Sequence, residues 1–164
     1  MSTDRIEKRV LLKAPFDRVW RAISDSTEFG RWFGAKFDGP FVPGQSVRAV
    51  IAPTKVDEEV AKPQQPHAGT ATTWQVVSVE PHKRLTFRWH PFAVDSAVDY
   101  SQEPTTLVEF TLTEAANGVR LQIVEAGFDA IPAERRARAF QANSGGWAKQ
   151  VTLVQKYLAL GERV

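Results

Sequence analysis

The 164-residue chain has no cysteine. Disulfides, thiolate metal sites and cysteine nucleophiles are therefore excluded, and a reducing compartment suits it. Histidine is scarce. His67, His82 and His90 are the only three, and no pair has the helical or ribbon spacing that a metal needs. No metal site is expected. No Gly-x-Ser-x-Gly elbow marks a serine nucleophile, and no glycine-rich loop marks a phosphate cradle. Nothing implies a cofactor. No apolar run approaches the ~18 residues of a membrane span. The opening residues, Met1-Ser2-Thr3-Asp4-Arg5, carry no signal-peptide core, so the expected compartment is the cytoplasm. An excess of one charge is also missing: 21 Lys+Arg against 19 Asp+Glu leave a net charge of +2. The densest basic group, Arg135, Arg136 and Arg138, reads as the solvated start of a helix. Neither nucleic acid nor membrane is expected as a partner.

What is present is an ordinary globular composition, 43% hydrophobic and 24% charged, with five Trp and ten Phe. The length suits one domain, residues 1–164. Ile6, Val10 and Leu12 alternate with polar residues and predict a strand. Pro15 opens a helix carrying Phe16, Val19, Trp20 and Ile23. Ser24 to Thr27 breaks it, and a second short helix, about 26–33, ends at Gly34. The chain then turns to strands. Residues 52–68, rich in Pro, Lys, Glu and Gln, show no periodic apolar face and predict a mobile loop insertion. Strands follow at 69–79, 84–90, 105–113 and from Val119, with Asn117-Gly118 as a hairpin signal. Another polar loop is expected at 91–104. Pro132 opens a helix to about Leu160 with an apolar stripe of Phe140, Trp147, Val151, Val154 and Leu158. The fold class is α+β: a curved antiparallel β-sheet wrapped around a long C-terminal helix, with two short helices after the first strand.

Short stretches carry a resemblance. Ala14-Pro15-Phe16-Asp17-Arg18-Val19-Trp20 resembles the strand-to-helix entry of the START or birch-pollen-allergen-like (SRPBCC) superfamily, whose fold is the helix grip. Arg31-Trp32-Phe33-Gly34, Val79-Glu80-Pro81 and Gly146-Trp147 with Tyr157-Leu158 follow in that superfamily's order, over about residues 5–160. The last helix is similar to that of a bacterial branch named for the activator of a heat-shock chaperone ATPase. The resemblance implies a cavity between sheet and long helix. It leaves open an apolar-ligand carrier, a polyketide-cyclase-like or hydrolase-like enzyme, and a co-chaperone-like domain with a chaperone partner. Many relatives place a His four residues before the helix Trp; here that position is Asn143.

Within that frame an apolar or aromatic small molecule is the expected partner. The expected cavity wall comprises Trp32, Phe87, Trp89, Phe110, Ile123, Phe140 and Trp147, since rings suit a flat ligand. Glu125 continues the inward row Val119, Leu121, Ile123. A carboxylate there must be wet, paired or functional: a rim residue paired with an Arg, a polar anchor, or a general base. Asn143, one turn before Trp147, is its companion handle, and in the enzyme reading an oxyanion donor. Gly145 and Gly146 each cost a helix ~1 kcal/mol relative to Ala. They serve either close packing on the sheet or ligand room, with Gly146 as the ligand-facing candidate. No catalytic residue is assigned.

Overall fold

A computed structural model describes residues 5–91 and 100–160. Strand β1, Arg5–Leu12, leads into α1, Phe16–Ser24, and α2, Ser26–Phe33. Asp25 separates the two helices, and its side chain accepts from the backbone N–H groups of Thr27 and Glu28, which caps α2. Gly34 ends α2 with φ +99°, a left-handed conformation that favours glycine. A Cβ there would also lie 2.6 Å from the Gln64 amide.

The strands β2 (Ala35–Phe37), β3 (Ser46–Ile51), β4 (Ala71–Glu80), β5 (Arg84–Trp89), β6 (Thr106–Ala115) and β7 (Gly118–Ala126) follow. With β1 they form one antiparallel sheet in the order β1-β7-β6-β5-β4-β3-β2. A β-bulge between Val76 and Ser78 disturbs the β4–β5 ladder, and bulges bend the strand that carries them. The last helix, α4, Ala133–Ala159, packs on β1, α1 and α2. Its buried residues are Ala139, Trp147, Leu153, Val154, Tyr157 and Leu158, while Phe140 and Val151 are only partly buried. This is the α+β architecture that the periodicities predict, and the helix grip that the resemblance implies.

The core is dense in rings. Phe29 touches Trp32, Phe41, Trp74 and Phe110, and Trp74 stacks on Phe87 with centroids 4.3 Å apart. A partly buried polar cluster ties α4 to α1 and α2. The Tyr157 hydroxyl and Arg18 Nη1 both donate to Glu28 Oε1 at 2.8 Å. Burial, then the Glu28 contact, pushes the Tyr157 hydroxyl above its ordinary value.

Residues 52–68 differ from the loop expected of them. The structure forms a helix there, α3, Glu58–Gln64, followed by a single 3-10 turn, Gln65–His67. Local and tertiary bonds replace the missing apolar periodicity. Asp57 caps α3 by accepting from Glu59 and Val60 N–H groups, and its carboxylate meets Lys156 of α4. Val56 and Val60 pack on the core. Gln64 accepts from Thr54 N–H at 2.7 Å and donates to Phe33 C=O at 3.1 Å. The β6–β7 turn is also offset by one residue from the Asn117-Gly118 signal: Ala115 pairs with Gly118, leaving Ala116 and Asn117 as the turn. Most of the loop expected at 91–104 lies outside the described residues; Tyr100–Gln102 forms a 3-10 turn. Among the described residues no helix is long and apolar enough to cross a membrane.

Candidate functional site

Strand register assembles the site. Trp89 on β5 lies opposite Thr106 on β6, and Val108, two residues on, lies opposite Glu125 on β7. Side chains two apart in a strand share a face, so Trp89, Thr106 and Glu125 meet diagonally on the concave side. Helix α4 crosses above them and adds Asn143 and Trp147, one turn apart.

Glu125 is fully buried, at 0% exposure, and has no cationic partner among the described residues. Its oxygens are filled by neutral donors instead. Oε1 accepts from Trp147 Nε1 at 2.8 Å and Asn143 Nδ2 at 2.9 Å. Oε2 accepts from Thr106 Oγ1 at 2.5 Å, Trp89 Nε1 at 2.6 Å and Asn143 Nδ2 at 3.2 Å. Indole nitrogens only donate, so both oxygens are held as acceptors, the pattern of an ionised carboxylate. The rim ion pair with an Arg is therefore not what forms. Arg135, near the start of the last helix, is engaged by Glu103 at 2.6 Å. Glu125 fixes the orientation of two large rings and one amide. To act as a general base it would first have to release one of four donor groups. Asn143 Nδ2 meets both oxygens of Glu125 and carries a second hydrogen besides the one shared between them.

Beside this cluster is a pocket of about 70 Å³, open on one side and walled by Phe33, Trp89, Asn143, Gly146, Trp147 and Gln150. A Cβ built on Gly146 meets nothing within 4 Å, so this glycine borders open space and does not allow close packing on the sheet. Trp89 and Trp147 lie 5.6 Å apart, centroid to centroid, and Phe33 lies 6.3 Å and 6.0 Å from them. A larger recess of about 640 Å³ lies between Trp20, Asp25, Asp38 and Phe41, but it is an open surface groove remote from the buried carboxylate.

The structure thus brings together Trp89, Glu125, Asn143, Gly146 and Trp147. Phe110 stands behind Trp147 at 5.7 Å, and Phe87 behind Trp89 at 5.5 Å. Ile123 is fully buried one strand pair away, opposite Phe110. Trp32 is held elsewhere in the core, donating from Nε1 to Ala22 C=O at 3.0 Å. Phe140 pairs edge-on with Phe128, away from the pocket wall. Three participants were not singled out in the sequence: Thr106, Phe33 and Gln150. Thr106 was legible, since it precedes Val108 and Phe110 by even steps. Gln150 continues the spacing of Asn143 and Trp147 by three. Phe33 depends on how α2 is seated and left no local signal. Among the described residues no cluster of His, Asp or Glu suits a metal.

The family model for Activator of Hsp90 ATPase homolog 1-like protein matches residues 13–159. No curated protein matches the chain. Among solved structures, DynU16, a protein in the dynemicin biosynthetic locus, aligns with a TM-score of 0.67 at 26% identity. The alignment covers 96% of this chain and 48% of DynU16, so the chain spans about half that protein's length. Protein MLL2253 from Mesorhizobium loti gives 0.70 at 21% identity, covering 96% of this chain and 98% of its own. The Aha1 dimer from Colwellia psychrerythraea gives 0.64 at 14% identity, with 96% and 98% covered. The last two likenesses speak for the fold. The family match spans almost every element that builds the buried-carboxylate site, from α1 to the end of α4, and on it this chain belongs to the Activator of Hsp90 ATPase homolog 1-like family.

Proposed function

We propose that this protein binds an apolar or aromatic small molecule between the sheet and α4, at the pocket walled by Phe33, Trp89, Gly146 and Trp147. The observation that carries this reading is the pairing of an open space at Gly146 with two indole rings whose nitrogens are pinned from behind by Glu125. Pinning removes rotamer freedom before a ligand arrives, so less entropy is lost on binding. Phe87 and Phe110 back the two indole rings, whereas Trp32, Ile123 and Phe140 lie away from the pocket wall. DynU16 comes from a biosynthetic locus, which is a small-molecule setting.

The pocket's size limits what enters it. At about 70 Å³ it is near half of the ~150 Å³ cavity that takes benzene. A ring enters edge first, with the remainder of the ligand at the open side or displacing Phe33. The test is a titration with N-phenylnaphthylamine, read by quenching of Trp fluorescence. Saturable quenching is expected in the native protein and its loss in Gly146→Leu, with the fold retained by circular dichroism. Equal quenching in both proteins would remove the pocket from consideration.

A further inference from the structure

A second recess, of about 260 Å³, lies between α2 and the outer edge of β2 and shares no residue with the Trp89–Trp147 pocket. Its apolar lining includes Ala35, Phe37, Ala52 and Pro53. Its charged lining is Arg31, Lys36 and Lys55, with no carboxylate. The sides of the recess are bonded to one another. Ala52 N–H donates to Gly34 C=O at 3.1 Å, and Lys55 N–H to Arg31 C=O at 3.3 Å. A Cβ on Gly30 would lie 2.1 Å from the Ala35 carbonyl oxygen, so only glycine lets α2 come this close to β2.

The edge of β2 adds a donor. Gly34 C=O accepts from Ala52, and Asp38 N–H donates to Arg48 C=O at 3.1 Å, so the even-numbered residues aim their backbone groups at β3. An antiparallel ladder bonds alternate residues, so Ala35 and Phe37 turn theirs to the outer edge. Ala35 is closed against Gly30, which leaves the Phe37 N–H facing the recess. It has no hydrogen-bond partner among the described residues. The cations are short of partners too. Lys36 and Lys55 meet no carboxylate among the described residues, while Arg31 also bonds the Tyr157 hydroxyl. The acids close in sequence are already engaged: Glu28 by Arg18 and Arg21, Asp57 by Lys156, and Asp38 Oδ1 by the Arg48 N–H.

We infer that this recess is a second binding site, for a small organic anion: a carboxylate that accepts from the Phe37 N–H and is neutralised by Lys36 and Lys55, with its apolar body on Ala35, Ala52 and Pro53. An unpaired backbone donor and two unpaired ammonium groups beside one apolar floor favour a ligand with both a negative end and an apolar end. The lysine stems are flexible and bring their charges to one carboxylate. The volume exceeds the ~150 Å³ that takes benzene, so a ring with its carboxylate fits.

The experiment titrates the protein with benzoate, benzamide and acetate, followed at the backbone amide NMR signals in low salt, where exposed charges are least screened. Benzoate should move the Phe37 amide saturably. A hydrogen bond to a charged group corresponds to roughly tenfold or more in affinity, so benzoate should bind about tenfold tighter than benzamide, its neutral counterpart. It should also bind tighter than acetate, which lacks the ring. Lys36→Gln combined with Lys55→Gln changes two exposed side chains and leaves the core intact. In that variant the preference for benzoate over benzamide should fall toward one, with benzamide affinity unchanged. Equal affinities of benzoate and benzamide in the native protein, or an undiminished preference in the double variant, would overturn the assignment of the lysines. Acetate binding as tightly as benzoate would overturn the apolar half of the site. Saturation that leaves the Phe37 amide unmoved, or no saturation at all, would overturn the site itself, while the Trp89–Trp147 pocket is judged separately by its own probe.

Discussion

Replacing Glu125 by Gln tests whether the buried carboxylate stabilises the fold. The change keeps shape and volume, so no cavity forms. It exchanges one acceptor oxygen for a donor. If the amide nitrogen replaces Oε1, it faces Trp147 Nε1; if it replaces Oε2, it faces Trp89 Nε1. Thr106 can rotate its hydroxyl and Asn143 can turn its amide, but an indole N–H has no alternative role. One indole is therefore left unpaired in either orientation. A stranded buried donor costs ~1–3 kcal/mol, and the surviving bonds lose their charge assistance, for a total of about 2–4 kcal/mol. At ~2–4 °C per kcal/mol for a domain of this size, the melting temperature should drop by roughly 5–15 °C. Calorimetry measures this directly, with indole N–H signals reporting which ring is released. The opposing effect is relief of burying a charge, which in other proteins can exceed the gain from its bonds. An unchanged or raised melting temperature would mean that this relief wins, and the carboxylate would then be a net cost to folding rather than the clamp described above.

Three further outcomes are expected. Gly146→Ala should raise stability by up to ~1 kcal/mol, because helix propensity improves and the added Cβ meets nothing within 4 Å; a fall on thermal denaturation would reveal a contact there. The Lys156 amine, then the Val60 N–H, hold the Asp57 carboxyl below its ordinary value of 3.8. A lowered folded value gives a contribution complete above 3.8 and lost as pH falls through the lowered value, so amide exchange across residues 58–64 should accelerate in that acid range. Asp57→Asn should abolish that pH step, and a step that persists would exclude the pair as its cause. Added chelator should leave the melting temperature unchanged, since the described residues hold no cluster suited to a metal; a drop of several degrees would contradict this.

Elements with a regular apolar period were legible. The alternation around Val108 and Phe110, and the stripe through Trp147, Val154 and Leu158, follow from burial of one face and need no distant partner. Glu125 and Asn143 stood out because a polar residue in an inward row demands an explanation. What they do was not legible, because their partners lie 18 to 36 residues away in sequence and meet only through strand register. Helix α3 was hidden for a similar reason. Its support is the cap at Asp57, Lys156 from another helix and Gln64 reaching Phe33, none of which leaves a period. The split of the ring-bearing residues into pocket wall and packed core likewise depends on depth, which a strand pattern does not encode: Phe87 and Trp89 share a face, yet only Trp89 reaches the opening.

The five contacts on Glu125 also constrain what insertions the chain can accept. Asn143 and Trp147 reach the carboxylate from one side of α4, and a single residue added between Ala133 and Asn143 would turn that side by about 100°. Both partners would then leave the carboxylate together, so the helix has no intermediate seat on the sheet. The same residue added within Phe128–Pro132, before the helix begins, lengthens the connection without rotating anything. Length variation in this chain should therefore be concentrated outside the span from Ala133 to Gln150, with α4 seated in one rotational setting.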